Sequence, residues 1–544
     1  MTIQKRLGRR TLGLAALAGA AFATTASVQG EPRTDIQPYL QIEQVLSADF
    51  NEGDVLTYTG VGGGVNATIA TQRVTGTISY DYQRRIAWND NIGDDDVHTG
   101  LASIQVQAIP NTLTVEAGAM ATRSGGDLRF PDAGLRTIDD PGVAEIYSAF
   151  AGPTLSTHAG PVTIGASYRL GYVFVDDHSL SGIDFPPNLP KVDMDTSSVV
   201  HNATASVGMS PGELPFGWTV GGGWVREDTN QLDSRFEAKY VRGDVVVPVG
   251  STLALTAGVG YEDGRGSQQD ILRNLNGTPV VGPGGTLFPD KSKPRVLTYD
   301  IDGLIWDAGV IWRPGPRTEL QARVGRRFGG TTFVGSFQHR INRAYSISGS
   351  VYDSVSSFGQ LLVADLSGVP RNFDIPRHGV GGIGGTGGCV FGTDPGTGTC
   401  FDDSLQSING FNFRNRGANV LLSGGRGPWN FGVGAGYSNR RYFTPPSSDF
   451  ILHGVTDQSF SLSGSVGREL SRTSGVDVGA YAGWFDSGIA GVDGSFSTGV
   501  TGSYYQRVFH DRLQASLTAG IYNSQADEFD STVGSVSFGL RYVF

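Results

Sequence analysis

From about residue 36 to its end the chain repeats one pattern: apolar side chains at every second position, with Gly, Ser, Thr, Gln or charge between them. Leu40, Ile42 and Leu46 alternate with Tyr39, Gln41 and Glu43, and Val74, Ile78, Tyr80 and Tyr82 alternate with Thr75, Thr77, Ser79 and Asp81. The same spacing runs through Leu113 to Ala119, Val162 to Tyr172, Leu253 to Tyr261, Trp429 to Tyr437, Val476 to Trp484 and Leu513 to Ile521. A period of two gives a strand two unlike faces. Runs of about ten residues suit a tilted strand crossing a hydrocarbon layer. The second face is too polar for the packed core of a soluble sandwich, so the expected class is all-β, a transmembrane antiparallel up-and-down β-barrel.

The two ends of the chain agree with this reading. In Phe538 to Phe544, Phe538, Leu540, Tyr542 and Phe544 share one face and Gly539, Arg541 and Val543 the other. A greasy last strand ending in an aromatic suits the closing strand of such a barrel, with an edge strand of a soluble sandwich as the alternative. Gly539, Tyr542 and Phe544 resemble the C-terminal signal that hands barrels to the barrel-assembly machinery. At the other end Lys5, Arg6, Arg9 and Arg10 precede the apolar run Thr11 to Ala23 and small residues suited to cleavage. Residues 1–30 are therefore expected to be an export signal and 31–544 the barrel. Arg9-Arg10 loosely resembles a twin-arginine signal, but a folded barrel with an apolar outside would not stay soluble during export.

Connection lengths give a strand number. Short turns are expected at 109–112, 158–161, 249–252, 313–318, 341–344, 471–474 and 510–512, alternating strictly with long polar loops at about 123–143, 176–197, 263–295, 357–409 and 438–456. One strand on each side of every turn gives about 22, within a range of roughly 20–24. An even count puts both termini in the periplasm. Val296 to Arg313 reads as one long strand or as a strand plus loop, and the parity slip at Arg242-Gly243-Asp244 predicts a bulge. All seven tryptophans fall on the apolar parity, most near strand ends, as an interfacial girdle requires. Strands begin soon after the signal, so no N-terminal plug domain is expected, and a barrel of this size should hold a water-filled channel.

Composition narrows what the barrel can bind. Without residues 1–30 the chain has 37 basic and 52 acidic residues, a net charge of −15, which argues against nucleic acid as a partner. Membrane lipid and lipopolysaccharide are expected partners. Cys389 and Cys400 lie in a Gly-rich stretch and should pair in an oxidising compartment, whereas zinc would need further ligands. Their segment, 357–409, either folds into the bore or hangs outside it. Gly382 to Gly387 fits G-x-G-x-x-G without the strand and helix a dinucleotide site needs. Asp94, Asp95 and Asp96 beside His98 read as a divalent-cation site or, more simply, a solvated acidic loop. No catalytic, cofactor-binding or metal residue is assigned, no cofactor is expected, and the chain reads as no enzyme. Charges expected to line the bore are Arg85, Arg169, Glu319, Arg323 and Arg327, with Arg235, Glu237 and Lys239 if their strand keeps phase. They either set solute selectivity or tie neighbouring strands together.

Stretches such as DIQPYLQIEQVLSADF, SYDYQRRIAW, ELPFGWTVGGGW, RTELQARVGRRFGGTT and VYDSVSSFG resemble an outer-membrane barrel family of sphingomonads and related alphaproteobacteria, similar to barrels that accompany exopolysaccharide and PEP-CTERM/exosortase systems. Relatives often carry the label of the translocase subunit YajC, a small protein anchored by one apolar helix, which this chain does not match. The resemblance implies an outer-membrane location and a link to surface polysaccharide. Three functions follow as expectations: a porin-like channel for hydrophilic solutes, a non-conducting scaffold barrel that binds a partner through its loops, and a barrel enzyme.

Overall fold

The computed structural model describes residues 33–51, 53, 55–88, 94–125, 143–177, 196–280, 288–373, 388–405, 411–445, 454–488, 494–526 and 529–544. The segment expected to be the export signal lies outside them, so the absence of an N-terminal plug is not confirmed. Twenty-two strands form one antiparallel ring. They are β1 (Arg33–Asp49), β2 (Val55–Ala70), β3 (Val74–Ala87), β4 (Asp95–Ile109), β5 (Leu113–Gly125), β6 (Val143–Ala159), β7 (Val162–Asp177), β8 (Thr196–Met209), β9 (Gly217–Thr229), β10 (Arg235–Pro248) and β11 (Leu253–Gln268). Then come β12 (Val296–Gly315), β13 (Thr318–Arg327), β14 (Gly330–Arg340), β15 (Tyr345–Ser356), β16 (Asn412–Arg426), β17 (Trp429–Phe443), β18 (Thr456–Glu469), β19 (Ser474–Asp486), β20 (Ser495–Val508), β21 (Leu513–Ala526) and β22 (Phe529–Val543).

β1 pairs with β22 from Tyr39↔Val543 to Asp49↔Val533, so the sheet closes and no strand is left at an edge. Parity then sorts the side chains. Val536, Phe538, Tyr542 and Phe544 point out and are 40–67% exposed, while Tyr39, on the other face of the paired strand, is 4% exposed. The wall is a single sheet, so the outward apolar rows have nothing of this chain to cover them and require hydrocarbon. Among the described residues no helix is long and apolar enough to cross a membrane; the crossing is by strands. The chain is an outer-membrane-type β-barrel.

Much of the glycine faces the bore. A Cβ on Gly64, Gly223, Gly417 or Gly499 would lie 2.4–2.6 Å from an atom of Tyr39, Tyr240, Tyr352 or Tyr481 respectively. The inward tyrosines lie flat across neighbouring strands, and only glycine leaves room beneath them.

The structure corrects several expectations. The ladders of β10 run without a slip through Arg242-Gly243-Asp244, so no bulge is present there. Val241, Val245 and Val247 on β10 are 40–56% exposed and point outward, and unbroken parity places Arg235, Glu237 and Lys239 on that same outer face, not in the bore. Val296 to Arg313 lies within one strand, Val296–Gly315, the longest of the ring at 20 residues. Connections do not alternate strictly in length, because only two residues join β13 to β14 and β21 to β22 at the long-loop end.

Candidate functional site

The connection between β15 and β16 turns into the bore. It holds α1 (Phe358–Gly368), a two-strand ribbon (Cys389–Phe391 with Gly398–Cys400) and α2 (Asp402–Leu405). The G-x-G-x-x-G stretch lies outside the described residues. Ser357 begins α1 as its N-cap, accepting a hydrogen bond from the Gln360 backbone N–H at 3.1 Å. Ser357-Phe358-Gly359-Gln360 has the spacing of a capping box, but the Gln360 side chain is used elsewhere. Ser357 and Gln360 both donate to Glu227 of β9, Gln360 at 3.0 Å. Glu227 is 2% exposed, so the helix start is held on a buried carboxylate. A Cβ at Gly359 would lie 2.4 Å from Ser198 Oγ and 2.6 Å from Glu227 Oε1, so glycine is required at this contact.

One face of α1 is apolar. Phe358, Leu362, Val363 and Leu366, followed by Val369, pack on Leu101, Met120, Ala144, Ile146, Phe150, Val173, Val175 and Val200. These wall residues belong to β4–β8, on the parity that faces the bore. Each fully buried side chain of this kind contributes about 1.5–3 kcal/mol. Gly171 of β7 makes the closest approach possible, since a Cβ there would sit 2.5 Å from Val363. Past the helix, Arg371 donates to Ser103 Oγ at 2.7 Å and to Glu116 Oε1 at 2.8 Å, and Arg169 of β7 donates to the other oxygen of Glu116 at 2.8 Å.

The ribbon rests on a different part of the wall. Cys389 and Cys400 form a disulfide. A Cβ on Gly434 of β17 would lie 2.6–2.7 Å from both sulfurs, and one on Gly432 would lie 2.5 Å from the Phe391 ring. Gly396 N–H donates to Ser423 Oγ of β16 at 2.9 Å. In α2, Asp403 accepts from Tyr352 Oη (2.8 Å), Asn415 Nδ2 (2.9 Å) and Arg440 Nη2 (2.8 Å). Asp365 of α1 faces the same cluster. Burial and the neighbouring Asp403 carboxylate push its pKa up to about 8, and burial also raises that of Asp402.

Away from the inward segment, the bore wall carries paired charge. Arg323 of β13 reaches Asp244 at 2.7 Å and Asp307 at 3.3 Å, and Arg242 reaches the same two carboxylates at 2.6 and 2.8 Å. Arg327 pairs with Glu262 at 3.0 Å. Glu319 accepts from the exposed Arg313 at 2.9 Å, and the buried Arg85 donates to Gln83 at 3.2 Å and stacks over Tyr58. Arg169, Arg323 and Arg327 thus tie strands together and form no ring of free charge. The acidic triplet divides between the faces: Asp95 pairs with the buried Arg123, while Asp94 and Asp96 pair with the exposed Arg84. Among the described residues the one grouping with metal-ligand geometry is Cys389, Cys400 and Asp402, and its sulfurs are bonded to each other.

Sequence reading by strand parity overlooked Glu227, Glu116, Arg371, Asp365, Asp403 and Arg440. The signal it passed over was FGQLLVADL, where apolar residues switch from a period of two to helical spacing behind a capping serine.

No family model matches the chain, and no curated protein matches it. Solved structures do. The FrpB iron transporter from Neisseria meningitidis (F5-1 variant) is 12% identical with a TM-score of 0.45, over 94% of this chain and 83% of that one. The ferric-catecholate import receptor Fiu from E. coli K12, in its open form, is 10% identical with a TM-score of 0.44, over 94% and 82%. The copper transporter OprC is 11% identical with a TM-score of 0.38, over 96% and 82%. At these identities and scores nothing about a ligand carries over to this chain. They nevertheless correct the expected family: these neighbours are metal and siderophore receptors or transporters, not exopolysaccharide-system barrels. The porin-like function tied to that family is withdrawn with it.

Proposed function

We propose that this protein is a gated outer-membrane transporter, not an enzyme, and that its gate is the segment between β15 and β16, closed in the arrangement described above. One observation carries this reading: the bore wall at β4–β8 is apolar where α1 lies on it. A water-filled bore gives no reason for eight apolar wall residues to face inward, whereas a docking surface for an apolar helix does. The polar latches at Glu227 and Glu116 hold the two ends of that helix and can exchange their partners for water when it leaves. In this reading the long loops lie outside the cell, both termini lie in the periplasm, and Gly539, Tyr542 and Phe544 serve recognition by the assembly machinery.

Single-channel recording from the full-length protein in planar bilayers tests the gate. The expected result is low, intermittent conductance for the intact chain, and large steady steps once 358–405 is replaced by a short Gly-Ser linker. Steady large steps from the intact chain, unchanged by the replacement, would overturn it.

A further inference from the structure

The three shortest strands of the ring are consecutive: β13 has 10 residues, β14 has 11 and β15 has 12. Ten residues at about 3.3 Å each, tilted by about 40°, rise about 25 Å, the height of the apolar belt. The β13–β14 hairpin is therefore about as tall as that belt, while β12 runs on past it, from Trp306 opposite Arg326 up to Val296. Above this hairpin β11 and β12 meet β16 and β17, with the Tyr299 and Phe443 rings 4.7 Å apart and Asn412 against Gly266, and the notch lies beside the hairpin, between β14 and β15. β14 and β15 share only six residue pairs, Gly335↔Val351 to Arg340↔Ser346, and Gly330 to Val334 have no partner in β15.

The notch is lined by cations on the outer face. Arg326 lies opposite Thr331 in the ladder and has the parity of the outward Val324. It is exposed and has no ion-pair partner among the described residues. Arg414 and Arg416 of β16 both donate to the Thr331 carbonyl, at 3.1 and 2.9 Å, filling the gap beside β14. Arg414 and Arg416 share the carboxylate of Asp353, at 2.7 Å and 3.3 Å. Asp300 and Asp302 lie farther up β12, the second bound by Tyr261. Directly below on the same face are Trp306, Val324, Phe333 and Val351, each 45–58% exposed.

Cations at headgroup height above an apolar strip match one kind of molecule: a lipid with an anionic head and acyl chains. We propose that the notch between β14 and β15 binds the phosphate of an outer-leaflet glycolipid, with Arg326 and Arg416 as its main contacts and the acyl chains on Phe333 and Val351. Arginine suits phosphate because its planar fork donates two parallel hydrogen bonds.

Native mass spectrometry of the intact protein in neutral detergent, incubated with diphosphorylated lipid A, tests the site. Arg326 and Arg416 are exposed, so R326A/R416A should fold, as checked by heat-modifiable migration. The wild type should retain lipid A, and the double variant should retain at least fivefold less. Dephosphorylated lipid A should be retained poorly by both. The control R235Q/K239Q, which alters outward charges elsewhere on the rim, should bind like the wild type. Equal retention by wild type and R326A/R416A, an equal loss in the control, or displacement by millimolar inorganic phosphate would each overturn the proposal.

Discussion

The bore has two unlike walls. Along β4–β8 it is apolar, and α1 lies on it with Leu362 and Leu366 fully buried. Along β10–β13 it is ionic, and the charges bind each other: Arg242 and Arg323 share Asp244 and Asp307, and Arg327 holds Glu262. An apolar wall is stable only while something covers it, whereas a wall of paired charge can stay wet whether or not a segment moves across it. The contrast separates the part of the interior that a conformational change must expose from the part that can remain unaltered through it.

If this division is right, perturbations of the first wall should act on gating, and perturbations of the second on ion preference alone. The largest effect is expected from Gly434→Leu, which puts a side chain where both disulfide sulfurs now sit. It should lift the ribbon off the wall and give a persistently open channel in bilayer recordings; wild-type gating would show that the ribbon does not hold the segment. Next is Leu362→Ala. It removes a fully buried contact of α1, at a cost of about 2–5 kcal/mol of docking, and should raise the open fraction at least tenfold.

A smaller effect should come from pH. Away from the cluster Asp365 should ionise near its ordinary value of about 4, but in place it does so only near 8. Docking is thus fully stabilised below about pH 4, loses stability as pH rises, and is weakest above 8. Open probability should therefore climb between about pH 4 and 8 and level off above 8, and Asp365→Asn should flatten the climb. A flat wild-type profile over that range would break this assignment. The smallest effect is expected from Arg323→Ala on the ionic wall. It leaves Asp244 and Asp307 with Arg242 alone, so in the channel lacking 358–405 cation preference should rise roughly twofold, with gating of the intact chain unaltered. A change in gating of the intact chain would mean the two walls are coupled.

The wall of this barrel was legible in sequence because each crossing strand reports its two solvents residue by residue. Leu40, Ile42, Phe538 and Tyr542 face outward as their parity requires, and the strand number followed from the same alternation. Parity failed at β10, where the charged residues Arg235, Glu237 and Lys239 looked like bore residues. Their strand rises beyond the apolar belt, where outward charge meets headgroups and water and carries no penalty. The interior segment was harder to read, because its partners lie far off in sequence. Nothing near residue 362 announces Val173, and nothing near residue 360 announces Glu227. The glycines did carry a trace: Gly171, Gly432 and Gly434 leave out side chains where something else must fit. Yet bore-facing glycines also lie under tyrosines, and composition alone does not distinguish the two uses.

The inward segment also spans the interior from side to side. Its helix rests on β5–β8 and its ribbon and second helix on β16–β18, about ten strands away around a ring of 22. It therefore acts as a strut across the cylinder. When it releases, the wall loses its internal brace and the cross-section is free to change ovality, so opening would reshape the whole tube as well as clear a path through it.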